Sequence, residues 1–198
     1  MTRFFTSDHH FRHQNIIKYC DRPFSSADEM DEAMIDLWND AVGVDDEVYY
    51  LGDFSLGGAK VVADILPRLN FGSIVLIVGN HDKVWKKGEI KDSLVQAYRD
   101  AGFHYIASYG EIAIDTCYMA MSHYPYAGDH GDKDRYPERR AVDKGIPLLC
   151  GHIHEKWKQR GWMVNVGVDA WCGKPVSEHQ IATILSNGPQ DLDVPEWV

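Results

Sequence analysis

Five short polar patches punctuate the chain: Asp8-His9-His10, Gly52-Asp53, Gly79-Asn80-His81-Asp82, Ser122-His123 and Gly151-His152-Ile153-His154. They offer carboxylate oxygens and imidazole nitrogens, a mixture suited to manganese, iron, zinc or nickel, whereas an all-oxygen set would favour magnesium or calcium. Singly they say little. D-x-H also caps helices and binds solvent, G-D is a routine turn, and a lone histidine such as His123 is more often a packed or surface group than a ligand. Gly-Asn-His-Asp says more, because its glycine permits a tight turn that brings three polar side chains to one rim. Gly-His-x-His puts two imidazoles on one side of an extended segment. Taken in order, the five patches hold the residue types of a dinuclear hydrolytic centre.

Such a centre needs elements that carry the patches to one place. Apolar strand-like runs at 2–7, 48–51 and 74–78 stop at Asp8, Gly52-Asp53 and Gly79-Asn80. Between them, Met30, Ala33, Met34, Leu37, Trp38 and Ala41 recur at helical spacing within 26–42, and a second helix is predicted at 60–69. This alternation predicts parallel βαβ units, whose carboxyl strand edges are where open α/β sheets place ligands. After a helix at 92–101, short strand candidates near 103–107, 111–115, 117–122, 147–150, 162–166 and 179–185 make the second half richer in strand. The class is thus α/β passing to α+β, with one domain over 1–186 and a polar tail, 187–198, whose Trp197 either packs back onto the domain or docks elsewhere. The 124–146 stretch, long for a connection, reads either as a lid or as a solvated loop.

With 198 residues the chain can bury a core without disulfide or zinc staples. No apolar run approaches the roughly 18 residues of a membrane span. The sequence reaches Asp8 too soon for a signal peptide, and Cys20, Cys117, Cys150 and Cys172 stand far apart without a C-x-x-C pair. These features predict a cytoplasmic protein with reduced thiols. A formal charge of −10 repels a nucleic-acid backbone, but bound divalent ions would reverse the field locally for a phosphate substrate.

The ordered set D-x-H, G-D, G-N-H-[DE], H and G-H-x-H resembles the calcineurin-like metallophosphoesterase family. The resemblance covers residues 2 to about 169, including Asn165-Val166-Gly167 after the last block. Thr6 to His13, Arg22-Pro23-Phe24 and Leu51 to Phe54 look like a compact subgroup of it. The resemblance implies a two-sheet β sandwich flanked by helices and two divalent metal ions, manganese first, with iron, zinc or nickel as alternatives. One ion would be held by Asp8, His10, Asp53 and His154, and the other by Asp53, Asn80, His123 and His152. Asp53 would bridge them, and a hydroxide shared by the ions would attack the phosphorus. His81 would stand beside the metals as a hydrogen-bond or proton donor, and Asp82 would either support His81 or cap the following segment.

Beyond that set, His13 and Arg22 are candidate substrate contacts, Arg22 through its bidentate fork. His9, His104, His130 and His179 read as structural or solvent-facing. The expected substrate is a small phosphodiester such as a cyclic nucleotide, with a phosphomonoester, a nuclease substrate or a non-catalytic scaffold role as alternatives. Presence of the complete set argues against the scaffold. Long nucleic acid is disfavoured because Asp132, Asp134, Glu138 and Asp143 offset the basic residues between Lys133 and Lys144. The sequence leaves the oligomeric state open.

Overall fold

Alternating side chains in the first three strands serve two cores at once. Strands β1 (Arg3–Thr6), β2 (Glu47–Tyr50) and β3 (Ser73–Ile77) send Phe4, Val48, Tyr50, Ile74 and Leu76 toward the helices. Phe5 and Ile77, with Leu51 just past β2, pack toward a second sheet. This is the period-two geometry of a strand buried on both faces. A computed structural model describes residues 1–86, 89–131 and 133–197; Asp132 of the mixed-charge stretch lies outside the described residues.

Helices α1 (Gln14–Tyr19) and α2 (Ala27–Ala41) connect β1 to β2, and α3 (Ala59–Ile65) leads toward β3. Helix α2 begins where Ser26 accepts the Glu29 amide, and it buries Met30, Met34, Ile35 and Trp38. The helix expected over 60–69 loses its α geometry at Leu66, where Pro67 sits in a 3-10 turn. After β3 come the small hairpin β4 (Trp85–Lys86) and β5 (Glu89–Ile90), helix α4 (Asp92–Asp100) and strand β6 (Tyr105–Ala107). The pairs β1–β2, β2–β3 and β3–β6 are all parallel.

The second half supplies β7 (Gly110–Ile114), β8 (Cys117–Met121), β9 (Leu148–Cys150), β10 (Gln159–Gly161), β11 (Met163–Asn165), β12 (Val176–Ser177), helix α5 (Glu178–Ser186) and β13 (Gln190–Leu192). Strand β12 joins the first sheet, in the order β12-β1-β2-β3-β6, and the second sheet runs β13-β10-β11-β9-β8-β7. Both sheets mix parallel and antiparallel pairs, and their facing sides enclose Phe5, Leu51, Ile77, Met119, Met121, Leu149 and Val164. The fold is a two-sheet α+β sandwich flanked by helices. Among the described residues no helix is long and apolar enough to cross a membrane.

The strand expected over 179–185 is instead helix α5. Ser177 accepts the Gln180 amide while the Gln180 side chain reaches back to the Ser177 amide, a reciprocal capping box, and Ile181 and Leu185, four residues apart, are buried. The β-branched Ile181, Thr183 and Ile184 suggest a strand locally, but capping and burial at helical spacing decide the outcome. Beyond α5, residues 190–192 pair with β10 at the sheet edge, and the Trp197 ring lies 5.9 Å from that of Phe24.

Candidate metal centre

Parallel strands deliver the five patches to one rim. β1, β2 and β3 end just before Asp8, Asp53 and Asn80, while β8 and β9, parallel to each other, end before His123 and His152. A parallel bridge between Ser7 and Gly167 stitches the rim across the two sheets, and the amides of Asp8 and His10, donating to the Gly52 and Asp53 carbonyls, tie together the loops that follow β1 and β2. Asp8, His10, Asp53, His152 and His154 all have positive φ, between 48° and 72°. Left-handed backbone is uncommon outside glycine and concentrates at functional sites. The motif glycines are needed for contact: a Cβ on Gly79 would fall 2.2 Å from Asp53 Oδ1, and one on Gly151 would fall 2.4 Å from Asp8 Oδ2.

Asp53 Oδ2 is the focus. His123 Nε2 lies 3.5 Å from it, His10 Nε2 3.6 Å and His81 Nε2 4.0 Å, while Asp53 Oδ1 accepts the His81 amide at 2.8 Å. The rings of His10 and His154 stack at 5.1 Å, and those of His123 and His152 meet edge-on at 5.2 Å. Asn80 Oδ1 is 3.2 Å from His123 Nε2. Asp8, His10 and His154 form one group of mutually close donor atoms, and Asp8, Asp53 and His123 another.

Among the described residues, Asp8 Oδ1 and His10 Nε2 are buried without a hydrogen-bond partner. Buried polar atoms are rarely left so. Their convergence beside Asp53 fits divalent cations, which these donors would hold.

Partners behind the donors aim them. His123 Nδ1 faces the Leu51 carbonyl at 2.7 Å and His154 Nδ1 faces Asp169 Oδ2 at 2.9 Å, so in each ring Nε2 is left for the cleft. Asp8 Oδ2 accepts the Ser7 hydroxyl and the His152 amide, leaving Oδ1 free.

Burial, aided for His152 by neighbouring His123, drives His10 well below the ordinary imidazole range and His152 down to about 3, which keeps both neutral as ligation requires. For His123 burial also opposes the charge, but the Asp53 carboxylate outweighs it and lifts the group to about 9. Asp53 is correspondingly held well below the carboxylate range, burial being overcome by His123, His10 and His81. A cation bound between them would release that proton.

Arg22 does not reach the cleft. Its side chain is fully buried, with Nε and Nη2 donating to the two Asp169 oxygens at 2.8 and 2.9 Å and Nη1 and Nη2 donating to the His9 and Asp8 carbonyls. It therefore braces the loop from below instead of meeting substrate, because every nitrogen of its fork is engaged. Asp82 is likewise buried and accepts the amides of Asp53, Phe54 and Gly79. It ties two motif loops together and does not line the cleft, an arrangement closer to the capping alternative. Burial, then the nearby Asp53 charge, raises it to about 6.

His13 does line the cleft, its ring 5.5 Å from His10 and 6.2 Å from His81. His9 points away, bonded to Tyr50 and stacked on Phe11.

Four residues were not anticipated from the motifs. His130, expected to be structural or solvent-facing, lines the cleft with Arg135. Asp129 lies 3.2 Å from His152 Nε2 and accepts from Arg135 at 2.9 Å. Part of the 124–146 stretch is thus folded over the centre. Asp169, the partner of His154, follows Gly167 at the end of β11; the only sequence signal was an acidic residue in a turn after a strand.

No family model matches the chain. The gene 66 protein of Mycobacterium phage D29 is 33% identical over 179 residues, covering 84% of this chain and 87% of the phage protein. The gene 66 protein of Mycobacterium phage L5 is 31% identical over 196 residues, covering 92% and 93%. The chain belongs to the family of these phage gene 66 proteins. Among solved structures, a protein of unknown function from Aquifex aeolicus is similar to this chain at 25% identity and a TM-score of 0.66, covering 93% of this chain and 99% of that one.

Proposed function

We propose that this protein is a dinuclear metal-dependent phosphoesterase of the calcineurin-like type. The observation that carries the reading is the convergence of three imidazole nitrogens within 4.0 Å of one Asp53 oxygen, with the buried Asp8 Oδ1 left without a hydrogen-bond partner. Asp8, His10, Asp53 and His154 would hold one ion, and Asp53, Asn80, His123 and His152 the other. Two such ions supply Lewis-acid charge for a phosphoryl group and lower the pKa of a bound water.

The remaining chemistry belongs to the chain. His81, 36% exposed in its side chain, is free to face a phosphoryl oxygen or a leaving alkoxide and to donate a hydrogen bond or proton. His13 and Arg135, both in the cleft wall, are placed to meet the rest of a phosphate. Asn80 adds an oxygen donor without the negative charge that would repel substrate.

The preferred substrate in this reading is a small phosphodiester, such as a cyclic nucleotide. A cleft of about 200 Å³ and a formal charge of −10 both favour a small molecule over a polymer. Catalytic efficiencies on a 2′,3′-cyclic nucleotide, a bis-aryl phosphodiester, an aryl phosphate monoester and linear duplex DNA, at one salt concentration, test the assignment. The small diesters should lead; a lead for the monoester or the duplex would overturn the substrate class while leaving the metal centre standing.

A further inference from the structure

A second cluster brings sulfur, nitrogen and oxygen donors together outside the five motifs. Cys20 caps the end of α1, His130 comes from the 124–146 stretch, and Glu155 follows His154. One donor atom of each lies within 4.8 Å of the other two. His130 Nε2 is 3.2 Å from Glu155 Oε2. With metal–ligand bonds of about 2.0–2.2 Å, two donors on one tetrahedral ion stand roughly 3.3–3.5 Å apart, so this pair is already near the spacing of a shared ion. Glu155 Oε1 is occupied by Lys156 at 3.1 Å, which leaves Oε2 for the cluster.

The cluster is reachable by an ion. Cys20 is buried, while His130 and Glu155 keep 23% and 28% of their side chains exposed. His130 stands in the wall of the cleft around Asp53, and Cys20 and Glu155 stand in the wall of another cleft of about 390 Å³. Cys20 also lies close to His154 and Asp169, but those two are bonded to each other and Asp169 to Arg22. His130 and Glu155 are the freer partners.

We propose that Cys20, His130 and Glu155 form a further divalent-cation site for a thiophilic ion such as zinc, separate from the Asp53-centred pair. A thiolate selects such an ion over manganese, and three protein ligands leave one position open for water. Binding deprotonates the Cys20 thiol, its proton passing to solvent. The ion ties the end of α1 and the 124–146 stretch to the turn that carries His154, whose ring meets His130 edge-on at 4.9 Å.

The Asp53-centred set contains no sulfur, so cobalt(II) distinguishes the two sites. Titration of the metal-stripped full chain with cobalt should produce a near-ultraviolet thiolate-to-cobalt charge-transfer band whose final amplitude corresponds to one thiolate-bound cobalt per chain. Cys20→Ser should lose the band and one bound cobalt. His130→Ala and Glu155→Gln, both at partly exposed positions, should each weaken cobalt binding at the band by tenfold or more, and they serve if the cysteine variant does not fold. Asp53→Asn should keep the band while losing the other cobalt ions. Absence of the band in the parent chain, its survival in Cys20→Ser, or its loss in Asp53→Asn would overturn the proposal. A band without further bound cobalt would support this site and count against the dinuclear reading, so the two ideas fail separately.

Discussion

A single oxygen atom organises the centre. Asp53 Oδ2 is approached by His123, His10 and His81, yet the three rings differ in what stands behind them. His123 is fixed through Nδ1 by the Leu51 carbonyl, whereas His81 is held by its amide on Asp53 Oδ1 and keeps an exposed ring. Asp53→Asn is therefore expected to lower metal content at both positions, while His81→Ala should retain its metals and lose about 10²–10⁴-fold in turnover. Elemental analysis of each variant beside its kcat checks this; loss of both metals from His81→Ala would make His81 a ligand.

Asp169 supports a second residue-scale expectation. It joins buried Arg22 to His154, and burial, which alone would raise its carboxyl, is outweighed by Arg22 and His154, so it stays well below the usual carboxylate range. Asp169→Asn should weaken metal affinity about 10–100-fold by releasing His154. It should also destabilise the fold by about 3–5 kcal/mol, because the Arg22 charge is left buried without its partner. Urea unfolding and metal titration measure the two effects, and a variant as stable as the parent would contradict the account of Arg22.

At the scale of elements, the site exists because strand ends from two sheets meet and glycines let their loops touch. Gly79→Ala would push a Cβ to 2.2 Å from Asp53 Oδ1, displacing the carboxylate that both proposed ions would share. We expect this variant to lose metal at both positions, whereas Gly131→Ala, with nothing within 4 Å of its added Cβ, should bind as the parent does. Calorimetric metal titration of the pair decides it, and equal binding by both would remove close packing as the reason for the glycine.

The βαβ half and the five patches were legible in the sequence because period-two and helical spacing are local signals. Helix α5 was not, since Ile181, Thr183 and Ile184 imitate a strand until the Ser177–Gln180 box and the Ile181–Leu185 burial are taken together. Arg22 was visible as a fork but not as a buried one, because its partner Asp169 lies 147 residues away. His130 and Asp129 carry no motif, and only the fold of the 124–146 stretch brings them to the cleft.

For the whole molecule, charge and chemistry pull in opposite directions. A formal −10 disfavours polyanions, and the basic residues of the 124–146 stretch are largely matched: Arg135 by Asp129, Arg140 by Asp134 and Arg139 by Glu138. Duplex DNA should therefore bind weakly and without the steep salt dependence of a protein that neutralises many phosphates. A binding isotherm whose affinity fell by about 10³-fold or more between 50 and 200 mM salt would contradict this. Local cations at Asp53 are what would let an acidic protein hold a small phosphate ester. The most direct test is hydrolysis of a bis-aryl phosphodiester by the full chain before and after metal removal, with metal content measured on the same samples. The manganese-loaded protein should hold close to two ions per chain and turn the diester over, and stripping should abolish turnover until manganese is restored. Undiminished turnover by a sample shown to be metal-free would contradict the dinuclear centre.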